Sequence, residues 1–289
     1  MRNSKLTPVI LLLPLMAVTL TVIIACVNVL LQSIGYVPAF GLTKITLGYY
    51  REVFKRPEFL SALWVSLRIA FVSTLLAAAL GTLLCAALVK RRAGGGMLYT
   101  VRFPILVPHT VVALFIMTLL GQTGIVARAA YGLGLISDYT KFPQILFTPG
   151  YGGAIAGYLW KEIPFVAYYT LALMASVSNT LDEAAENLGA SPLRSFFSVT
   201  LPMSLPAVSK AALIIFIYAF GGYELPALLG STLPKALPVQ AYITYLSPDL
   251  LQRPLAMAMF GVILMLSVLM AALYSIGIRR LIKRLGGEA

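Results

Sequence analysis

Charge is scarce in this sequence. Of 289 residues, 22 are Lys or Arg and 10 are Asp or Glu, so 11% are charged; a water-soluble domain carries about a quarter. Histidine occurs once and cysteine twice. Spread along the chain as they are, these residues offer no metal cluster or triad. Cys26 and Cys85 both fall in apolar stretches and read as small buried hydrophobes rather than a disulfide or metal pair. No Gly-x-x-x-x-Gly-Lys-Ser/Thr occurs, and no Gly-Lys pair at all. The chain therefore lacks the loop that cradles nucleotide phosphates. An enzyme working inside the membrane would need His or acids gathered at one depth, and the sequence offers no such group. No internal repeat or low-complexity tail is visible either.

What is present is hydrocarbon. Hydrophobic residues make up 60%, and the mean hydropathy is +0.90. A helix crossing a bilayer needs about 20 mostly apolar residues. Six stretches qualify, at roughly 8–32, 60–89, 103–122, 153–178, 205–230 and 253–278. Runs of this length without strict alternation exclude a β-barrel. The expectation is an all-α membrane protein, one permease-like domain over residues 1–289, with six transmembrane helices. The N-terminus has the basic start of a signal peptide, and Ile23-Ile24-Ala25-Cys26 loosely resembles a lipoprotein cleavage box. The apolar run continues through Val27, Val29, Leu30 and Leu31, so it is expected to stay as the first span.

The net charge of +12 does not indicate nucleic acid, because the basic residues sit in loops beside apolar spans. Lys90-Arg91-Arg92 and Arg279-Arg280…Lys283-Arg284 abut span ends without a nearby acid, and Arg102 is grouped with the first cluster. These place both termini in the cytoplasm. The stretch 123–152 reads as an external connection with a short interfacial helix near 125–135.

Residues 179–204 form the most informative loop. Thr180 and Glu183 have capping-box spacing, and Asp182, Glu183 and Glu186 put negative charge near the positive helix end. Gly189 supplies the left-handed stop. Ser191 then serves as a new N-cap with Pro192 at the first helical position, and Leu201-Pro202 is expected to end this second helix. Two short helices around a sharp turn make either a rigid knob for a soluble partner or an ordinary capped connection.

The residues Glu183-Ala184-Ala185, Gly189, Val199 and Leu201-Pro202 resemble the signature loop of permease subunits of binding-protein-dependent ABC importers. The one departure is Val199 for the usual isoleucine. The resemblance implies the type I importer fold in the bacterial inner membrane. It implies that Glu183, Ala184, Ala185, Gly189, Leu201 and Pro202 couple to a separate ATPase subunit, which binds the ATP and magnesium; this chain itself carries no cofactor. It also implies a second permease subunit, the same or different, a periplasmic or lipid-anchored solute-binding protein, and surrounding membrane lipid. Residues 223–256 resemble the branch that carries polyamines, thiamine or ferric iron, so a polyamine or similar small cation is the expected substrate. A gradient-driven secondary transporter or channel is the alternative; it calls for midplane acids and inverted repeats.

Ionisable groups inside spans are costly and face a cavity or a partner. Arg68, Lys161, Glu162 and Glu224 qualify. Helix rise puts Glu162 about 25 Å and Glu224 about 27 Å above the cytoplasmic end, and Arg68 about 12 Å in from the outer end. Either Arg68 or Lys161 pairs with Glu162 or Glu224 near the outer mouth, or each side chain reaches the headgroups independently. Tyr158, Trp160, Tyr168, Tyr169, Tyr218 and Tyr223 are candidates to line the path, and His109 for packing or lining. The break Gly221-Gly222-Tyr223-Glu224-Leu225-Pro226 is the candidate outer gate.

Overall fold

In the computed structural model the described residues are 6–91, 94–177, 181 and 183–284, without the side chains of 6–9, 183, 186 and 279–284. In chain order the helices are α1 (Leu6–Ser33), α2 (Gly48–Lys55), α3 (Pro57–Lys90), α4 (Gly95–Leu106), α5 (His109–Leu120), α6 (Ile125–Gly132), α7 (Gly152–Val177), α8 (Glu183–Asn187), α9 (Pro192–Ser195), α10 (Leu201–Gly221), α11 (Glu224–Leu229), α12 (Leu237–Tyr245) and α13 (Arg253–Arg284). Among the described residues the extended pairing is one isolated bridge, Val37 to Leu42. Five segments are long and apolar enough to cross a membrane: Ile10–Ser33, Pro57–Lys90, His109–Gly132, Pro192–Gly221 and Leu250–Ile278. The 26-residue α7 matches them in length, but carries Lys161 and Glu162 and is not one of the five.

The chain divides into two compact units. The first, Met1–Leu60 with Gln240–Leu266, holds α1 and α2. There the Tyr50 hydroxyl donates to Ser33 Oγ at 2.8 Å. A side chain on Gly261 would collide with that hydroxyl, which is why the helix is bare at this point. Phe54 and Phe59 meet edge to face at 5.0 Å. The apolar window of α1 has no buried residue.

The second unit, Ser61–Val239 with Ser267–Ala289, is built on α7. Ala77 of α3, Val166 of α7 and Ala211 and Ile215 of α10 form one buried cluster. Cys85, Leu88, Ala167 and Met174 form another, with Val101 of α4 against it. Gly81 allows the close approach of α3 to α7: a Cβ there would lie 2.6 Å from Val166 Cβ and 2.7 Å from the Ile163 carbonyl oxygen. Small residues let membrane helices pack backbone to backbone in this way.

The third and fifth predicted spans are interrupted. A single helix over 103–122 is replaced by α4 and α5, and α4 starts as early as Gly95. Between them Val107 is extended, at φ −75° and ψ 129°. The reason is local: Pro108 crowds the preceding residue out of the helical region. The predicted 205–230 span is α10 and α11, separated by an extended Gly222 at ψ 130°. Pro226 cannot donate to the carbonyl four residues back, which is that of Gly222.

Candidate functional site: the exposed turn and the interrupted helices

Residues 183–202 fold as a helix, a turn and a second helix. Leu188 N–H donates to the Ala184 carbonyl at 3.2 Å and Ala190 N–H to that of Ala185 at 3.0 Å. The second bond spans six residues, and Gly189 between has φ +90°. This is the left-handed glycine stop expected there. Ser191 caps α9, its Oγ accepting from Arg194 N–H at 3.3 Å, and Pro192 opens the helix. Thr180 and Asp182 lie outside the described residues, as do the side chains of Glu183 and Glu186, so the capping box and the acidic first turn fall there too.

Leu201-Pro202 does not end the second helix, contrary to the sequence reading. A π-helical turn over Phe196–Thr200 runs straight into α10, with Pro202 in its first turn. The π turn is what admits the proline. Leu201 N–H bonds to the carbonyl of Phe196, five residues back rather than four, which relaxes the spacing that the ring would otherwise violate. The turn presents apolar side chains outward. Leu188 is 90% exposed and Leu193 70% exposed.

The two interrupted helices meet α7. Val107, being outside any helix, has a free carbonyl, and Lys161 Nζ donates to it at 2.6 Å. Nζ is also 3.4 Å from His109 Nδ1, and the Tyr218 hydroxyl is 3.1 Å from the same nitrogen. With Lys161 donating, Nδ1 is an acceptor and the ring proton rests on Nε2, which is buried without a partner. Tyr158 is 1% exposed, and its hydroxyl stands where a side chain on Gly222 would go. So Lys161, His109, Tyr218 and Tyr158 join both helix breaks to one face of α7. Glu162 is also buried, and Glu224 opens α11.

Of the two alternatives for the intramembrane charges, the ion pairing does not form among the described residues. Among the described residues the recorded ion pair is Arg56 with Glu52 on α2. Lys161 is committed to a carbonyl instead, and Arg68 donates to the Pro149 carbonyl. The latter bond belongs to a knot of loop contacts. Tyr151 Oη donates to the Pro234 carbonyl at 2.8 Å, and Leu237 N–H to Ser66 Oγ at 2.8 Å. Phe147 N–H donates to the Leu229 carbonyl at 3.0 Å. Phe147 and Tyr151 both hold φ +57°, a region other than glycine rarely enters. Burial pushes the Tyr151 phenol above its ordinary value, so it stays a neutral donor. Sequence reading missed the use of the Val107 carbonyl, although Val107-Pro108 carried the signal for it.

Long apolar helices, two predicted spans interrupted around buried polar groups and an exposed helical turn suit a membrane transport component. The chain belongs to the family described as the binding-protein-dependent transport system inner membrane component, which matches residues 73–285. It is similar to the molybdenum transport system permease protein ModB of Haemophilus influenzae, 24% identical over 78% of this chain and 96% of that one. It is also similar to the putrescine transport system permease protein PotI of Escherichia coli, 26% identical over 58% of this chain and 55% of that one, about half its length. In fold it is similar to the crystal structure of a bacterial alginate ABC transporter in complex with a periplasmic protein bound to an alginate pentasaccharide. The TM-score is 0.74, with 18% identity over 96% of this chain and 98% of the other. The fold is that of a type I ABC importer permease.

Proposed function

We propose that this chain, with a second permease subunit, forms the transmembrane pathway of an ATP-driven importer. A separate ATPase grips residues 183–202, and a solute-binding protein delivers substrate to the other end. In this reading α7 is the fourth of six spans, both termini lie in the cytoplasm, and ATP with magnesium belongs to the ATPase. Glu183, Ala184, Ala185 and Gly189 seat the turn in the motor subunit. Leu201 and Pro202 carry its movement into α10 through the unbroken helix. The observation that supports this most is Leu188, left 90% exposed beside a glycine-stopped turn. An apolar side chain held out in that manner fits a partner's groove. Arg68, Lys161, Glu162, Tyr223 and Glu224 then serve the pathway and its outer gate.

The test is copurification. Tagged wild-type chain brings down a stoichiometric ATPase, and Leu188→Asp does not while remaining in the membrane. Equal recovery with both chains ends the proposal.

For the substrate, a polyamine or similar small cation is the reading supported by the buried carboxylate of Glu162, by Glu224 in the adjacent helix break, and by the similarity to PotI. An oxyanion is the second reading, favoured by Lys161 and by the similarity to ModB. Uptake of labelled putrescine against labelled molybdate in intact cells decides between them. The cation reading expects putrescine uptake that Glu162→Gln abolishes, and molybdate uptake alone refutes it.

A further inference from the structure

We propose that Arg102 is the centre of a binding site for a phosphate-type oxyanion, set within the helical bundle near the end that carries residues 183–202. In the sequence this arginine counts among the loop charges. In the structure it lies two turns inside α4, and its guanidinium lies over two aromatic rings. The carbon of the group is 4.4 Å from the centre of the Tyr168 ring on α7 and 5.6 Å from that of Tyr99 on its own helix. Tyr168 precedes the last residue of α7, Val177, by about 13 Å of helix rise.

No counter-charge comes from the described part of the chain. Among the described residues no hydrogen bond or ion pair reaches Arg102, and its Nε is buried without a partner. The two rings stabilise the charge, but they leave the N–H groups of the Nη1/Nη2 edge unmatched. Those groups form a planar fork, and the group that fits it is a bidentate oxyanion. Tyr99 is 71% exposed, so the guanidinium lies beside open surface rather than being sealed in protein. Exposed Lys90 and Arg91 close α3 just before α4 begins and add positive potential on this side. The oxyanion has two possible sources with the same chemistry: the phosphodiester of an anionic phospholipid, and a free inorganic anion.

The experiment uses the intact transporter complex, delipidated, with thermal unfolding as the readout. It is titrated with dioleoylphosphatidylglycerol, with dioleoylphosphatidylcholine, and separately with sodium phosphate against sodium chloride. The lipid source predicts that phosphatidylglycerol raises the melting temperature and phosphatidylcholine does not. Arg102→Gln then weakens the apparent affinity about fivefold, as expected for loss of one basic group at an anionic lipid. The free-anion source predicts the same loss in the phosphate series. Tyr168→Leu should weaken whichever response is present, and Arg102→Lys should retain only part of it. Responses to every additive that are identical in wild type and Arg102→Gln overturn the proposal. If Arg102→Gln does not fold, wild-type responses in both Arg102→Lys and Tyr168→Leu overturn it equally.

Discussion

Gly222 has no room for a side chain. A Cβ there collides with the Tyr158 hydroxyl and lies 3.2 Å from the Tyr218 carbonyl oxygen, and the buried Tyr158 cannot swing aside. Gly222→Ala is expected to cost about 1–3 kcal/mol through overpacking and to lower uptake. Tyr158→Phe removes the obstructing atom, so the double variant should recover part of the loss in thermal unfolding and transport assays. A double variant that behaves as the sum of its singles would contradict the contact. Lys161 makes a second residue-scale prediction. Lys161→Met leaves the Val107 carbonyl without its donor, at about 1–3 kcal/mol, whereas Lys161→Gln keeps an N–H and should lose less. Equal melting temperatures for the two variants would count against the bond.

At the scale of elements, the contact of α3 with α7 depends on Gly81. Gly81→Val pushes against the Ile163 backbone, which cannot rotate away, so the yield of folded protein should fall sharply. Gly189 differs in kind. Nothing lies within 4 Å of a Cβ there, so the only penalty is its left-handed backbone, about 1–2 kcal/mol for a residue with a side chain. Gly189→Ala should impair the coupling of ATP hydrolysis to uptake, and Gly189→Asn, which tolerates that region better, should impair it less. The turn at Gly189 and the cap at Ser191 were legible in the sequence because each acts within a few residues. The π turn before Pro202 was not, because it depends on how α10 continues beyond the proline.

For the molecule as a whole, the transport class rests on the family match over residues 73–285. Leu188→Asp should leave the melting temperature of the isolated chain unchanged, since the side chain touches little. It should still abolish ATP-dependent uptake. A large loss of stability in that variant would mean that the turn is part of the core rather than a handle for a partner.

The sequence by itself determined the solvent, the helical class, the positions of the apolar runs and the local stop at Gly189, while the break before Pro108 came only with the structure. The former follow from hydropathy and backbone sterics, which act over one helical turn or along one run. The tertiary structure alone decided the partners of the intramembrane charges. Lys161 satisfies a carbonyl freed 54 positions away in the chain, and Arg102 lies against a tyrosine of another helix. Charge counting suggested salt bridges. In a low-dielectric interior, however, a cation is satisfied by whichever acceptor or ring the packing brings within reach, and that is settled by how helices pack rather than by spacing along the chain.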